Sequence, residues 1–209
     1  MGNYYPIFLD LQGQRCLVVG GGAVATRKVQ GLLEAEARVI VVSPTLTEAL
    51  ARLVHRGVIH HAARAFLPDD VVGCTLVISA SDRPAVNAAV SHAARKHRIW
   101  VNVVDTPAAC DFIAPAVVRR GALQIAISTG GNSPTLAKRI RAHLEEIYGP
   151  EYGELADWLG QQRACMRQQE TDPAIRKAWH EALVDCALEG ITRRTCLAPA
   201  QARPNAVSS

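Results

Sequence analysis

What most constrains the fold of this chain is an alternation. Through its first half, apolar runs of strand length take turns with stretches of helical periodicity. RCLVVG (15–20), ARVIVVSP (37–44), VIHHAA (58–63), CTLVISAS (74–81) and IWVNVVD (99–105) read as strands, the second closed by Pro44. AVATRKVQGLLEAE (23–36), TLTEALARLVHRG (45–57) and RPAVNAAVSHAARKH (83–97) read as the helices between them. Pro84 suits the first turn of the third helix, where its missing N–H has no partner to lose. Strands separated by helices do not pair as hairpins; they line up in parallel, with helices covering both faces of the sheet. The expectation for residues 1–112 is an α/β unit on a parallel sheet.

After Asp105 the pattern changes. FIAPAVVRRGALQIAIST (112–129) reads as two strands joined at Arg119–Arg120–Gly121, a hairpin rather than a crossover. SPTLAKRIRAHLEEIYG (133–149) follows as a helix with Ser133 as N-cap, Pro134 at the first helical position and Gly149 as its stop. From Glu151 to about Leu188 the chain is polar and helical, with Leu155, Trp158, Leu159, Trp179 and Leu183 as apolar contacts. The tail APAQARPNAVSS is small and polar, the composition of a disordered segment. These readings give a small α+β section over 113–148, a helical section over 149–195 and a tail over 196–209.

Composition narrows the function classes. The chain has 209 residues, 49% hydrophobic and 20% charged, with a net charge of +4. That mild excess suits an anionic small ligand, but no clustered basic stripe marks a nucleic-acid interface. No apolar run reaches membrane-spanning length, and the start, MGNYYPIFLDL, lacks the basic-then-apolar plan of a secretory leader. Six scattered cysteines include no C-x-x-C pair, and Cys16 and Cys74 fall on or beside strand-like runs. Reduced thiols in a cytoplasmic protein are the expectation.

Between the first strand and the first helix lies Gly20-x-Gly22-x-x-Ala25, which fits the dinucleotide fingerprint. The first glycine serves the tight turn, the second lets a pyrophosphate approach the backbone, and the small third residue lets helix and strand pack closely. Helix-start N–H groups then face the phosphates. This context makes the parallel sheet Rossmann-like, with NAD as the expected cofactor. The acid that grips the ribose is expected at the end of the second strand, where this chain has Ser43, then Pro44 and Thr45. A hydroxyl bonds a ribose but does not repel a 2′-phosphate, so selection against NADP is weakly specified.

YPIFLDL (5–11), VGGGAVATRKVQGLLEAEARVIVVSP (19–44), LVISASDRPAVN (76–87), VNVVDTPAACDFIAPAVVRRGALQIAISTGGNSPTLAKRIR (101–141) and the helical C-terminus together resemble one family. It is the precorrin-2 dehydrogenase/sirohydrochlorin ferrochelatase family, the N-terminal module of siroheme synthases. The resemblance covers about residues 4–185. No methyltransferase domain follows, so a stand-alone module is expected. The resemblance implies NAD-dependent oxidation of precorrin-2, a tetrapyrrole, to sirohydrochlorin. In bifunctional members, insertion of Fe2+ as a second substrate follows at the same site and gives siroheme. It also implies a homodimer that exchanges the hairpin-and-helix section between subunits.

Residue by residue, the resemblance puts the functional aspartate at Asp105 and cofactor contacts at Gly22, Ala23, Val24, Pro44, Thr45, Ser81 and Asp82. Gly20 and Ser43 join these from the fingerprint, and Asn102 and Val103 from the strand before the aspartate. Two departures stand out. Glu36 replaces a glycine, with an expected effect on a turn alone. Cys110–Asp111 is more polar than the family pattern; its carboxylate either weakens binding of an anionic substrate or assists a metal.

Asp105 falls where the fifth strand ends, beside the crevice in which open α/β sheets bind ligands. A carboxylate there can accept a proton from substrate; the alternative is plain Asp-Thr-Pro turn chemistry. Ser128, Thr129, Gly130, Gly131, Asn132 and Ser133 lead into a helix and offer hydroxyls and free N–H groups for substrate carboxylates, or else form an ordinary capped loop. Arg119, Arg120, Lys138, Arg139 and Arg141 either hold such carboxylates or form a solvated face. His60–His61 on a strand point to opposite faces, and His92 and His97 are five apart on a helix, so no resident metal site is expected. Two rivals remain open: a dehydrogenase without chelatase activity, and a non-catalytic NAD(H)-sensing module.

Overall fold

The computed structural model of the chain describes residues 4–197, with side chains through Ile191; the expected tail lies, from residue 198 onward, outside the described residues. Two compact units divide between Ala114 and Pro115.

In the first unit, β1 (Arg15–Val19), β2 (Arg38–Val42), β3 (His60–Ala62), β4 (Leu76–Ser79) and β5 (Trp100–Val103) form a parallel sheet in the order β3-β2-β1-β4-β5. Alternation along β1 shows why both faces need cover. Val18 packs into one cluster with Val39, Val41, Ala25, Val29 and Leu50, whereas Leu17 and Val19 pack into another with Val77, Val101, Val103, Val90 and Ala94. The first cluster seats α1 (Ala23–Leu33) and α2 (Glu48–His55), and the second seats α3 (Pro84–Lys96). Burial of each such side chain contributes about 1.5–3 kcal/mol. The chain winds outward from β1 to β3, then returns to β4 on the other side of β1. That reversal leaves a crevice at the carboxyl ends of β1 and β4.

Helix α1 stops three residues before its sequence pattern does. Glu36 N bonds Leu33 O and Ala37 N bonds Leu32 O, with Glu36 at φ +56. This is the left-handed position just past a helix that glycine occupies without penalty, which accounts for the glycine that Glu36 replaces. Helix α2 begins later than its pattern because Thr47 caps it, its hydroxyl accepting from Leu50 N at 3.4 Å.

In the second unit, β6 (Ala116–Arg120) and β7 (Leu123–Ile127) form an antiparallel hairpin. Arg119 and Arg120 belong to the strand, and the loop is Gly121–Ala122, with Gly121 at φ +54 as a type II′ turn requires. Helices α4 (Pro134–Ile147) and α5 (Glu151–Gln169) pack on the hairpin, and α6 (Pro173–Leu197) packs on α5. A Cβ on Gly153 of α5 would lie 2.6 Å from the Arg120 carbonyl oxygen, so the missing side chain is what lets this helix reach the hairpin. Arg120 donates from Nε to Tyr148 O (2.8 Å) and from Nη2 to Glu145 O (3.1 Å), closing the last turn of α4. The helical stretch after 151 is two helices, broken before Pro173, where Ala174 N donates to the Asp172 carboxylate at 2.7 Å. No helix among the described residues is long and apolar enough to cross a membrane.

Candidate active site

The crevice is assembled from the turns that leave β1, β2, β4 and β5. Gly20, at φ +125, follows β1; a Cβ there would collide with the Ala80 carbonyl of the turn after β4. Gly21 is more confined: its Cβ would run into the Thr45 carbonyl and stand 2.8 Å from Ser43 Oγ. Main-chain bonds hold these turns together, with Thr47 N donating to Gly21 O (2.8 Å), Gly20 N to Val42 O (3.0 Å) and Ala80 N to Val19 O (2.8 Å). Thr26 and Thr47 add a hydroxyl–hydroxyl bond at 2.9 Å.

Gly22 differs from its neighbours. A Cβ on it would meet nothing, because it faces open space at the start of α1. No side chain caps this helix, and its first turn holds no acid. The leading N–H groups of α1 and the positive end of its dipole therefore point into the opening with their hydrogen-bonding capacity unspent. Gly22, Ala23 and Val24 thus form a cradle that fits a pyrophosphate. Pro44, Thr45 and Asp82 are exposed around it. Ser81 is half-buried, its hydroxyl accepting from Arg83 N at 3.1 Å.

Three residues expected at the cofactor do not offer side chains to it. Ser43 is 7% exposed, tucked beneath Gly21, with its carbonyl bonded by His61 Nε2 at 2.9 Å. Val103 lies in the α3-side core, and the Asn102 amide is spent on Phe112 O at 2.9 Å. For Asn102 the cause is a strap that covers β5, an edge strand with unpaired polar groups of its own. Asp111 N bonds Val101 O (2.8 Å), its carboxylate accepts from Val101 N (3.2 Å), and Cys110 Sγ accepts from Val103 N (3.2 Å) while facing Val103 O (3.1 Å). Arg95 completes the arrangement at 3.4 Å from Asp111. Asp111 therefore completes an edge.

Asp105 stands at the open end of β5 with its side chain exposed. Its φ is +57, and Thr106 N bonds Val103 O at 3.2 Å, so it occupies the left-handed position of a tight turn. Glycine, asparagine and aspartate tolerate that conformation, which costs most other residues about 1–2 kcal/mol. The expected turn chemistry is present, and the carboxylate is exposed. Lys28, one and a half turns into α1, feels both Asp105 and Cys110; burial first, then Arg27, pulls its ammonium below the usual lysine range against their opposing effect. Neither Gly21 nor Lys28 was visible as a site residue in the pattern. The third-glycine slot draws attention away from Gly21, and Lys28 meets Asp105 through the fold alone.

The loop 128–133 lies in the second unit. Its hydroxyls act locally: Ser128 Oγ accepts from Gly130 N (3.0 Å), Thr129 Oγ1 from Ser133 N (3.0 Å) and Ser133 Oγ from Leu136 N (3.2 Å). Their O–H hydrogens remain available to an acceptor. Arg120 is committed to carbonyls and Arg141 pairs with Glu145, so neither is a free anion ligand.

A strand-glycine-helix cradle at the switch point of a parallel sheet defines a nucleotide-binding protein. Comparison with known proteins agrees. The family described as putative NAD(P)-binding matches residues 7–116, and that described as sirohaem biosynthesis protein, central, matches residues 120–147. The chain is 42% identical over 183 residues to a siroheme synthase of Methylococcus capsulatus, covering 88% of this chain and 39% of the relative. Against a siroheme synthase of Nitrosomonas europaea the identity is 42%, covering 87% of this chain and 38% of that protein. The chain thus spans about two fifths of the length of these relatives. The solved structure of SirC, a precorrin-2 dehydrogenase, superposes with a TM-score of 0.72 at 28% identity, covering 87% of this chain and 89% of that one. The chain belongs to this NAD(P)-binding family, in the siroheme-synthase N-terminal-module branch that joins it to the sirohaem central segment.

Proposed function

We propose that the chain is an NAD-dependent precorrin-2 dehydrogenase that forms sirohydrochlorin, with Asp105 as its base. The observation that carries this reading is the exposed carboxylate held at the turn that leaves β5, beside the nucleotide crevice. A sensor that only binds NAD(H) has no use for that residue. Gly22, Ala23 and Val24 hold the pyrophosphate, and Pro44 and Thr45 border the ribose. The bound nicotinamide supplies a hydride acceptor. Asp105 takes the proton that substrate loses as conjugation extends, and Lys28 keeps positive charge beside it. The Ser128–Ser133 hydroxyls and N–H groups bind substrate carboxylates. With no acid at the end of β2, preference for NAD over NADP is weak.

The proposal extends in three directions. Fe2+ is a second substrate, inserted into sirohydrochlorin with Asp105 receiving the pyrrole protons. The functional form is a homodimer exchanging the section 113–148; Leu136 (49% exposed), Ile140 (36%) and Ile147 (48%) on α4 support this, as an apolar stripe left open. The free thiols of Cys16, Cys74, Cys110, Cys165 and Cys186 suit the reducing cytoplasm.

Anaerobic precorrin-2 mixed with the protein and NAD tests the central step. The expected result is growth of the sirohydrochlorin absorption spectrum; an unchanged spectrum at saturating NAD would sink the dehydrogenase. Ferrous iron added to the same cuvette then produces the siroheme spectrum if chelation follows, and leaves sirohydrochlorin untouched if it does not.

A further inference from the structure

Helices α5 and α6 carry a cationic groove that the nucleotide chemistry leaves unused. It has a volume of about 350 Å³ and is lined by Arg163 and Arg167 from α5 and by Arg176, Lys177, Trp179 and His180 from α6. Two of these cations are engaged. Arg176 donates through Nη1 to the carbonyls of Glu170 (2.8 Å) and Thr171 (2.7 Å), and Lys177 lies 3.8 Å from Glu181, an acid that also lines the groove. Arg163 and Arg167 are exposed, one turn apart on one helix, with no ion-pair partner among the described residues. Like charges at that spacing weaken a helix, so helix stability does not explain the pair.

His180 adds a second observation. Its Nδ1 is buried without a hydrogen-bond partner among the described residues. The groove therefore gathers guanidinium forks, an ammonium, an imidazole with an unpartnered ring nitrogen and an indole face.

We propose that the α5–α6 groove binds a small organic polycarboxylate. A guanidinium takes a carboxylate through two parallel hydrogen bonds, which an ammonium cannot do. Two forks one turn apart hold two carboxylates of one molecule, and Trp179 covers its carbon frame. The volume falls in the range of small-molecule sites. This groove is built from the second unit alone, and its binding is tested without the dehydrogenase reading.

Calorimetric titration of the full chain with citrate, at about 0.15 M salt to screen loose ion pairing, tests the proposal. Saturable binding is expected, with a tryptophan fluorescence change that Trp179→Phe removes. Binding is expected to weaken at least tenfold in R163Q/R167Q and less in R163K/R167K, which keeps the charge and loses the forks. Both arginines are exposed, and circular dichroism verifies that each variant is folded. Absence of saturable binding, equal affinity in R163Q/R167Q, or tighter binding of pyrophosphate than of citrate would each overturn the assignment.

Discussion

The two units bury their apolar side chains very differently. Among the described residues, the first unit supplies every fully buried hydrophobic side chain from Leu11 to Val103, on both faces of one sheet, whereas the second contributes Val118 and Ala137 alone. The second unit is held instead by polar and close-packing devices: Arg120 on two carbonyls, Gly153 against the hairpin, and capped helix starts. The open α4 stripe is the counterpart of what it lacks inside. A unit that closes its own core can carry a preorganised crevice by itself. A unit with half a core is suited to pairing with another copy.

Core truncations probe that contrast with the largest effect. Leu50→Ala in the first unit should cost about 2–5 kcal/mol in denaturant unfolding, whereas Leu136→Ala, at an exposed position, should cost little in dilute protein. Equal losses would mean that the second unit has a core of its own. Gly21→Ala forces a methyl group into the Thr45 carbonyl; about 1–3 kcal/mol of destabilisation and loss of NAD affinity by calorimetry are expected, with the second unit unaffected. Arg120→Ala should cost about 1–3 kcal/mol by leaving carbonyls of α4 unpaired, read as early melting of the second unit.

Titration separates the units as well. Burial and the neighbouring Cys74 push the Cys16 thiol up to about 11 from 9.0. The folded first unit thus holds this proton across a window in which the unfolded chain has lost it. That contribution is complete below pH 9 and disappears as pH rises toward 11, so the first unit should lose stability over this window and Cys16→Ala should flatten the loss. The smallest effect is a gain: Glu36→Gly should stabilise by about 1 kcal/mol, by relieving a left-handed backbone.

The first unit was largely legible in the sequence because strand and helix periods, the glycine fingerprint and Pro84 all report local requirements. The parallel sheet and the place of Asp105 at the end of its fifth strand followed from those alone, whereas the strand order came only from the fold. Three expected cofactor positions have their side chains engaged elsewhere, for physical reasons. Asn102 and Val103 were read as ligand contacts because they precede Asp105, but β5 is an edge strand and Cys110–Phe112 occupies its polar groups. Ser43 stands where a ribose acid is expected, yet Gly21 packs over it. Lys28 feels the charge of Asp105 across 77 residues of sequence, a proximity no local pattern encodes. The second unit was less legible because its α4 stripe reads as core in sequence and is open in the folded chain.

The most direct test of the account compares Asp105→Asn with the unaltered chain at saturating NAD, following sirohydrochlorin formation from precorrin-2. Asparagine keeps the left-handed turn and removes the base. The account predicts unchanged NAD affinity and melting temperature with a rate lower by about 10²–10⁴-fold. A rate within a few-fold of the original, or loss of NAD binding along with activity, would contradict it.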